Sequence, residues 1–88
     1  MVQGKKLEVE VAISEDEIHT EATARVRIGD QQHEGSGVAK RNPADPNVPM
    51  IGEELATARA LSDLSHRLVD AAAQTLEEHL GKPVTITE

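Results

Sequence analysis

The chain has no cysteine, no phenylalanine, no tyrosine and no tryptophan. Without cysteine, disulfide bonds and thiolate metal sites are excluded. An aromatic side chain buries on the order of 150–250 Å², so aliphatic residues must supply the whole core of this 88-residue chain. A single domain of this size buries barely enough surface to be stable on its own. These absences therefore predict that the protein forms a homodimer.

A basic surface excess and a long apolar run are also absent. The 16 acidic and 9 basic residues give a formal net charge of −7, whereas nucleic-acid-binding domains usually carry a basic excess. No run of about 18 apolar residues, the length of a transmembrane helix, is present. The N-terminus has neither the apolar segment nor the small-residue cleavage site of a signal peptide. We therefore expect a cytoplasmic protein that is not bound to a membrane.

Three segments alternate apolar and polar residues with the period of two that is typical of strands. They predict strands at about 5–14, 18–29 and 32–41, and their short links predict an antiparallel meander. The run Gly35-Ser36-Gly37 lowers strand propensity in the third segment. It indicates either a bulge or a place where a helix passes close to the strand backbone.

The rest of the chain predicts a connector, one long helix and a tail. Prolines at every third position predict a stiff, extended connector over 42–49; a proline-rich ligand for a partner domain is the alternative. Helical periodicity runs over about 49–80 and ends at Gly81. The tail, 82–88, has strand propensity and could add a short C-terminal strand. The predicted fold is therefore a single α+β domain, a three-stranded antiparallel meander packed on one long C-terminal helix (β-β-β-α).

The helix carries more apolar surface than a small sheet can cover. Its length would be roughly 45–48 Å. We expect a main apolar stripe to face the sheet, at Ile51, Leu55, Ala58, Leu61, Leu68, Val69, Ala72, Leu76 and Leu80. A flank beside this stripe is the candidate dimer interface, formed by Leu61, Leu64, Leu68 and Ala71. Alternatively, the helix could break near Ser62 or Ser65 into two shorter helices.

No arrangement of residues indicates catalysis. The four histidines lack metal-ligand spacing, and no serine, histidine and aspartate combination has a local catalytic signature. Neither a phosphate-binding loop nor a calcium loop is present. We therefore expect a protein that is not an enzyme, with no catalytic residue, no metal, no cofactor and no evident small-molecule substrate. A small enzyme with His66 or His79 as its base is the alternative.

One basic cluster could contact phosphate groups. The candidates for contact with RNA or the ribosome lie on two strands that are neighbours in a meander: Arg25, Arg27, Lys40 and Arg41. Lys5 and Lys6 could join them from the start of the first strand. The alternative is that Arg25 and Arg27 only form cross-strand ion pairs with Glu8 and Glu10.

A family resemblance rests on the connector and the first half of the helix. Residues 40–55 read KRNPADPNVPMIGEEL and residues 58–64 read ARALSDL. This sequence resembles a family of small actinobacterial proteins with a double-stranded-RNA-binding-domain-like fold. The resemblance implies a β-β-β-α protomer, dimerisation and a likeness to ribosome hibernation factors, which silence translation under stress.

The chain also departs from a working double-stranded-RNA-binding domain. Such domains place lysines at the start of the helix that follows the sheet, whereas residues 50–54 here read MIGEE, which would repel phosphate. The N-terminal helix of those domains is missing too. Two hypotheses follow: a stress- or dormancy-type homodimer that associates with the ribosome or structured RNA, and an acidic homodimeric protein–protein interaction module that binds no nucleic acid.

Overall fold

The computed structural model describes residues 2–87. Its elements are β1 (Val9–Glu15), β2 (His19–Ile28), β3 (Gln31–Lys40) and α1 (Pro49–Leu80). The sheet has the order β1-β2-β3, and both strand pairs are antiparallel. The predicted α+β architecture of a meander followed by one long helix is thus confirmed.

Local chemistry accounts for the turns and for the end of the helix. The Asp16 carboxylate accepts hydrogen bonds from the backbone N–H groups of His19 (2.7 Å) and Ile18 (2.8 Å). These bonds, that of His19 foremost, lower the pKa of Asp16. Gly29 reverses the chain before β3 with a φ of 64°, and Gly81 ends the helix with a φ of 70°, a region that glycine enters without steric cost.

The helix lies directly on the backbone of β3. A Cβ atom placed on Gly35 would lie 2.3 Å from the Leu64 nitrogen, and one on Gly37 would lie 2.4 Å from the Ala56 oxygen. The pairing of β2 with β3 continues through both glycines without a shift in register. Of the two interpretations of this segment, the close approach is therefore correct and the bulge is wrong.

The predicted inward stripe of the helix is wrong. The buried helix residues are Ala56, Ala60 and Leu64, because only a small-residue face can rest on two glycines. Ile51 and Leu76, two members of the predicted stripe, are 55% and 41% exposed. The helix is also continuous, so a break near the two serines does not occur.

Leu64 is the dimer-interface candidate that the structure contradicts. Only 3% of its surface is exposed, and it packs in the core of its own chain. The sequence pattern assigned it to a partner because the pattern did not show which face of the helix meets the sheet. Leu61 is exposed, while Leu68 and Ala71 are half-buried.

Two helix side chains bind the free edge of β3. Arg59 donates a 2.7 Å hydrogen bond from Nη1 to the Val38 carbonyl oxygen, and the Ser36 N–H donates a 2.8 Å bond to Asp63 Oδ2. The bond from Ser36, followed by that from Arg67, lowers the pKa of Asp63. Arg67 Nε lies 3.2 Å from the same carboxylate oxygen. The edge of β3 is therefore protected against pairing with another strand.

The first half of the connector and the tail differ from the expected extended forms, whereas Val48, at the end of the connector, is extended. Asn42 begins a turn, in which its carbonyl oxygen accepts from the Asp45 N–H at 2.9 Å and its side chain accepts from the Ala44 N–H at 3.0 Å. A side-chain hydrogen bond of this kind favours a turn over polyproline II. The described part of the tail forms no strand, because its Val84 N–H donates a 3.0 Å bond to Glu77 Oε1 of the helix.

Candidate interaction surfaces

The predicted basic cluster does not form a single patch. Arg27 pairs with Gln32 across the sheet, whereas Lys40 pairs with His19. Arg27 and His19 are eight positions apart on β2, which corresponds to roughly 27 Å along the strand. Antiparallel pairing therefore places Arg25 and Arg27 at one end of the sheet, and Lys40 and Arg41 at the other.

Two of the four basic candidates are already engaged within the chain. Arg25 lies in register between Glu10 on β1 and Glu34 on β3, and its Nε is 3.1 Å from Glu34 Oε1. Arg41 donates from Nε to the Glu17 carbonyl oxygen at 3.0 Å and from Nη1 to the Asp45 carbonyl oxygen at 2.8 Å. Arg25 is therefore neutralised by acidic neighbours, and Arg41 holds the connector against the end of the sheet.

A shallow groove does bring some of the predicted basic residues together. It has a volume of about 510 Å³ and is lined by Lys6, Arg25 and Arg27. The carboxylates of Glu8 and Glu10 line the same groove. The local charge is therefore mixed, and a phosphate group would meet carboxylates beside each cation.

The first strand presents an apolar surface, which we call the β1 shelf, made of Val9, Val11 and Ile13. These residues pair with the buried side chains of β2 and so face the helix side of the sheet. The helix packs on β3 and β2 and leaves most of β1 uncovered, although Val11 packs against the edge of the core. Val9 is consequently 49% exposed and Ile13 41% exposed. No described residue forms a hydrogen bond with the outer backbone edge of this strand.

A second apolar surface, which we call the outer seam, runs along the helix away from the buried face of Ala56, Ala60 and Leu64. Its first two members, Ile51 and Leu55, also line a cavity at the end of the sheet. Its members follow one another at alternating spacings of four and three residues: Ile51, Leu55, Ala58, Ser62, Ser65, Val69, Ala72 and Leu76. At about 100° per residue, this spacing keeps them on one side of the helix. None of them is charged, although charged residues make up 28% of the chain. The outer seam is therefore not an ordinary solvated helix face.

A cavity of about 490 Å³ lies where the β1–β2 turn, the end of β3, the connector and the start of the helix meet. Thr20 lines it and is only 7% exposed. In the cavity's wall, Gly52 has no room for a side chain, since an added Cβ would lie 2.6 Å from Thr20 Oγ1. The sequence pattern could not show that Thr20 lines a cavity, because Thr20 fits the alternation of β2 like any other inward-facing residue.

The histidines of the helix bind their own helix backbone. His66 Nδ1 donates to the Ser62 carbonyl oxygen at 2.7 Å, and His79 Nδ1 donates to the Thr75 carbonyl oxygen at 2.9 Å. Within residues 2–87, no group of three or more histidine, aspartate or glutamate side chains could hold a metal ion. No helix among the described residues is both long enough and apolar enough to cross a bilayer.

Comparison with known proteins gives a consistent result. The uncharacterized protein Rv2632c of Mycobacterium tuberculosis (strain ATCC 25618 / H37Rv) is 42% identical over 82 residues, which are 93% of this chain and 88% of that protein. The uncharacterized protein Mb1767 of Mycobacterium bovis is 42% identical over 78 residues, which are 89% of this chain and 83% of that protein. The expected relation to small actinobacterial proteins is thus confirmed, while the link to ribosome hibernation and to double-stranded-RNA-binding domains stays a prediction.

A solved structure supports the same relation. The crystal structure of Rv2632c superimposes with a TM-score of 0.84 at 39% identity, covering 93% of this chain and 98% of that one. The Rv2632c-like family matches residues 5–85, nearly the whole chain. The chain therefore belongs to the Rv2632c-like family.

Proposed function

We propose that this chain is a protein–protein interaction module without enzymatic activity, which acts as a homodimer and binds an extended segment of its partner along β1. The observation that carries the proposal is the difference between the two edges of the sheet. Arg59 and Asp63 bind backbone groups at the edge of β3, whereas no residue within 2–87 pairs with the outer edge of β1 beside the apolar β1 shelf.

An open edge of this kind suits the addition of a strand. Backbone hydrogen bonds to the edge provide affinity, and side-chain contacts on alternate positions provide specificity. Val9, Val11 and Ile13 follow one another two residues apart and face the same side, so a partner strand would place its own alternate apolar side chains beside them. A free edge with exposed aliphatic residues is otherwise a site of aggregation, which proteins usually protect.

The matched substitutions Ile13→Lys and Ala12→Lys test this proposal. Both residues are exposed and adjacent in β1, but Ile13 lies on the shelf and Ala12 lies on the opposite face of the sheet. We expect a protein captured by the wild-type chain to be lost with Ile13→Lys and retained with Ala12→Lys. Equal capture by both variants, or loss of capture with Arg25→Glu/Arg27→Glu, would refute the proposed binding edge.

Association with the ribosome or structured RNA, as a stress- or dormancy-type protein, is the second candidate. The observation in its favour is the groove that collects Lys6, Arg25 and Arg27. Co-sedimentation with ribosomes at low and moderate salt tests it, because phosphate contacts weaken steeply with salt. This candidate predicts salt-sensitive binding that Arg25→Glu/Arg27→Glu abolishes and that Lys40→Glu, at the far end of the sheet, leaves intact. If no salt-sensitive binding occurs, this candidate is excluded.

A further inference from the structure

We infer that two copies of this chain pair through the outer seam, with their helices antiparallel about a two-fold axis between Asp63 and Leu64. The inference rests on the homodimer proposed above and specifies its interface. It concerns a face of the helix away from the buried one, so it is independent of the β1 shelf.

The amount of exposed surface indicates that something covers the chain. A compact monomer of this mass, 9.5 kDa, exposes about 5,000 Å², whereas this chain exposes 6951 Å². Its radius of gyration is 16.8 Å, against roughly 12 Å for a compact chain of 88 residues. The excess of roughly 1,900 Å², to which the exposed residues 2–8 also contribute, is more than twice the area of about 800 Å² that each partner buries in a standard interface.

The order of side-chain sizes along the outer seam favours a second copy as the occupant. In the antiparallel pair, each seam residue lies opposite a residue of the second copy, which gives four different pairs. Two of these four pairs combine a large residue with a smaller one. The four pairs join Ile51 with the second copy's Leu76, Leu55 with its Ala72, Ala58 with its Val69, and Ser62 with its Ser65. The smallest pair, Ser62 with Ser65, lies at the axis and the largest, Ile51 with Leu76, lies at the ends, so the two helices are closest where they cross and diverge on either side.

A parallel arrangement would fit less well. Each residue would then meet its own copy, so that two leucines would meet at position 55 and two alanines at position 58. The antiparallel arrangement also supports the second half of the helix, which contains no residue buried by its own sheet. It places that half beside the first half of the other helix.

The charge distribution permits this contact despite the acidity of the chain. The eight seam positions carry no charge, so the net charge of −7 per copy lies outside the interface. Arg59 lies beside the seam, four residues after Leu55, but its side chain and that of Asp63 are directed to β3 and bound there. Pairing through the seam therefore leaves both the edge of β3 and the β1 shelf unchanged.

Single cysteines test the geometry, since the chain has none of its own. In the antiparallel pair, Leu55→Cys meets Ala72→Cys of the other copy, while two copies of Leu55→Cys hold their sulfurs roughly 25 Å apart along the axis. We expect the mixture of the two variants to form a disulfide-linked dimer under mild oxidation and each variant alone to remain unlinked. Linkage of each variant with itself would indicate a parallel pair and overturn the inference.

Sedimentation equilibrium separates failure of the geometry from failure of the dimer. We expect twice the 9.5 kDa chain mass for the wild type, an at least 100-fold weaker association for Ala58→Glu in the seam, and no change for Gln74→Glu, which is exposed outside the seam. A wild-type dimer that Ala58→Glu leaves intact, or that gives no mixed disulfide, overturns only the interface. A wild-type monomer overturns both the interface and the homodimer.

Discussion

Replacing Gly37 with alanine tests the contact on which the whole arrangement of helix and sheet depends. The new Cβ atom would lie 2.4 Å from the Ala56 oxygen and the Ala60 nitrogen, about 1 Å inside the 3.4 Å at which ordinary contact begins. Both obstructing atoms belong to the helix backbone and cannot rotate away. The helix must therefore move, and the hydrogen bonds that Arg59 and Asp63 make with the edge of β3 move with it.

Two effects of this substitution have opposite signs, which makes its outcome diagnostic. Overpacking of a core costs about 1–3 kcal/mol, and the rigid obstruction at Gly37 places this case near 3 kcal/mol. Alanine is otherwise the better strand residue, by roughly 0.5–1 kcal/mol. We therefore expect the free energy of unfolding to fall by about 2 kcal/mol, a large share of the stability of a small domain.

Urea unfolding followed by far-ultraviolet circular dichroism measures this change, since the chain has no tryptophan or tyrosine fluorescence. With a denaturant slope of about 1 kcal/mol/M, the midpoint should fall by about 2 M. Ser36→Ala is the matched control, because its side chain is exposed and its backbone bond to Asp63 remains. That variant should stay within about 0.5 kcal/mol of the wild type. A midpoint for Gly37→Ala at or above the wild-type value would show that the helix does not rest on the β3 backbone.

Three further substitutions follow from the burial and hydrogen bonding of single residues. Leu64→Ala should lower the free energy of unfolding by about 2–5 kcal/mol. Leu61→Ala, at an exposed position, should lower it by less than about 1 kcal/mol. Equal decreases for the two variants would contradict the observed orientation of the helix. The lowered pKa of Asp63 means that its contribution is present above the unfolded pKa of about 4 and is lost as the pH falls through the folded pKa. Asp63→Asn should therefore flatten the acid side of the stability profile measured by urea unfolding, and an unchanged profile would show that the charge of Asp63 is unimportant.

The elements of this fold could be predicted from the sequence because each depends on neighbours along the chain. Alternation of apolar and polar residues indicates a strand wherever it occurs. Pro49 and Gly81 mark the two ends of the helix through their own backbone preferences, and the observed helix lies between them. The pairing of Asp63 with Arg67, four residues apart, is local in the same sense.

The surfaces depended on contacts between residues that are distant in the chain. Periodicity showed two apolar faces on the helix and favoured the larger one as the core, whereas Gly35 and Gly37 admit only the face of Ala56, Ala60 and Leu64. Side-chain size at a crossing point, and not total hydrophobicity, decided the orientation.

The basic residues illustrate the same division. Charge and strand position could be read from the sequence, but the distance between Arg27 and Lys40 depends on the direction and register of pairing. A strand advances about 3.4 Å per residue. Residues near the β2–β3 turn, such as Arg27, and residues far from it, such as Lys40, therefore lie at opposite ends of the sheet. The sequence by itself determined which segments become strands and helix. Only the tertiary structure decided which faces those elements bury and which they leave for a partner, because burial depends on contacts between residues that are distant in the chain.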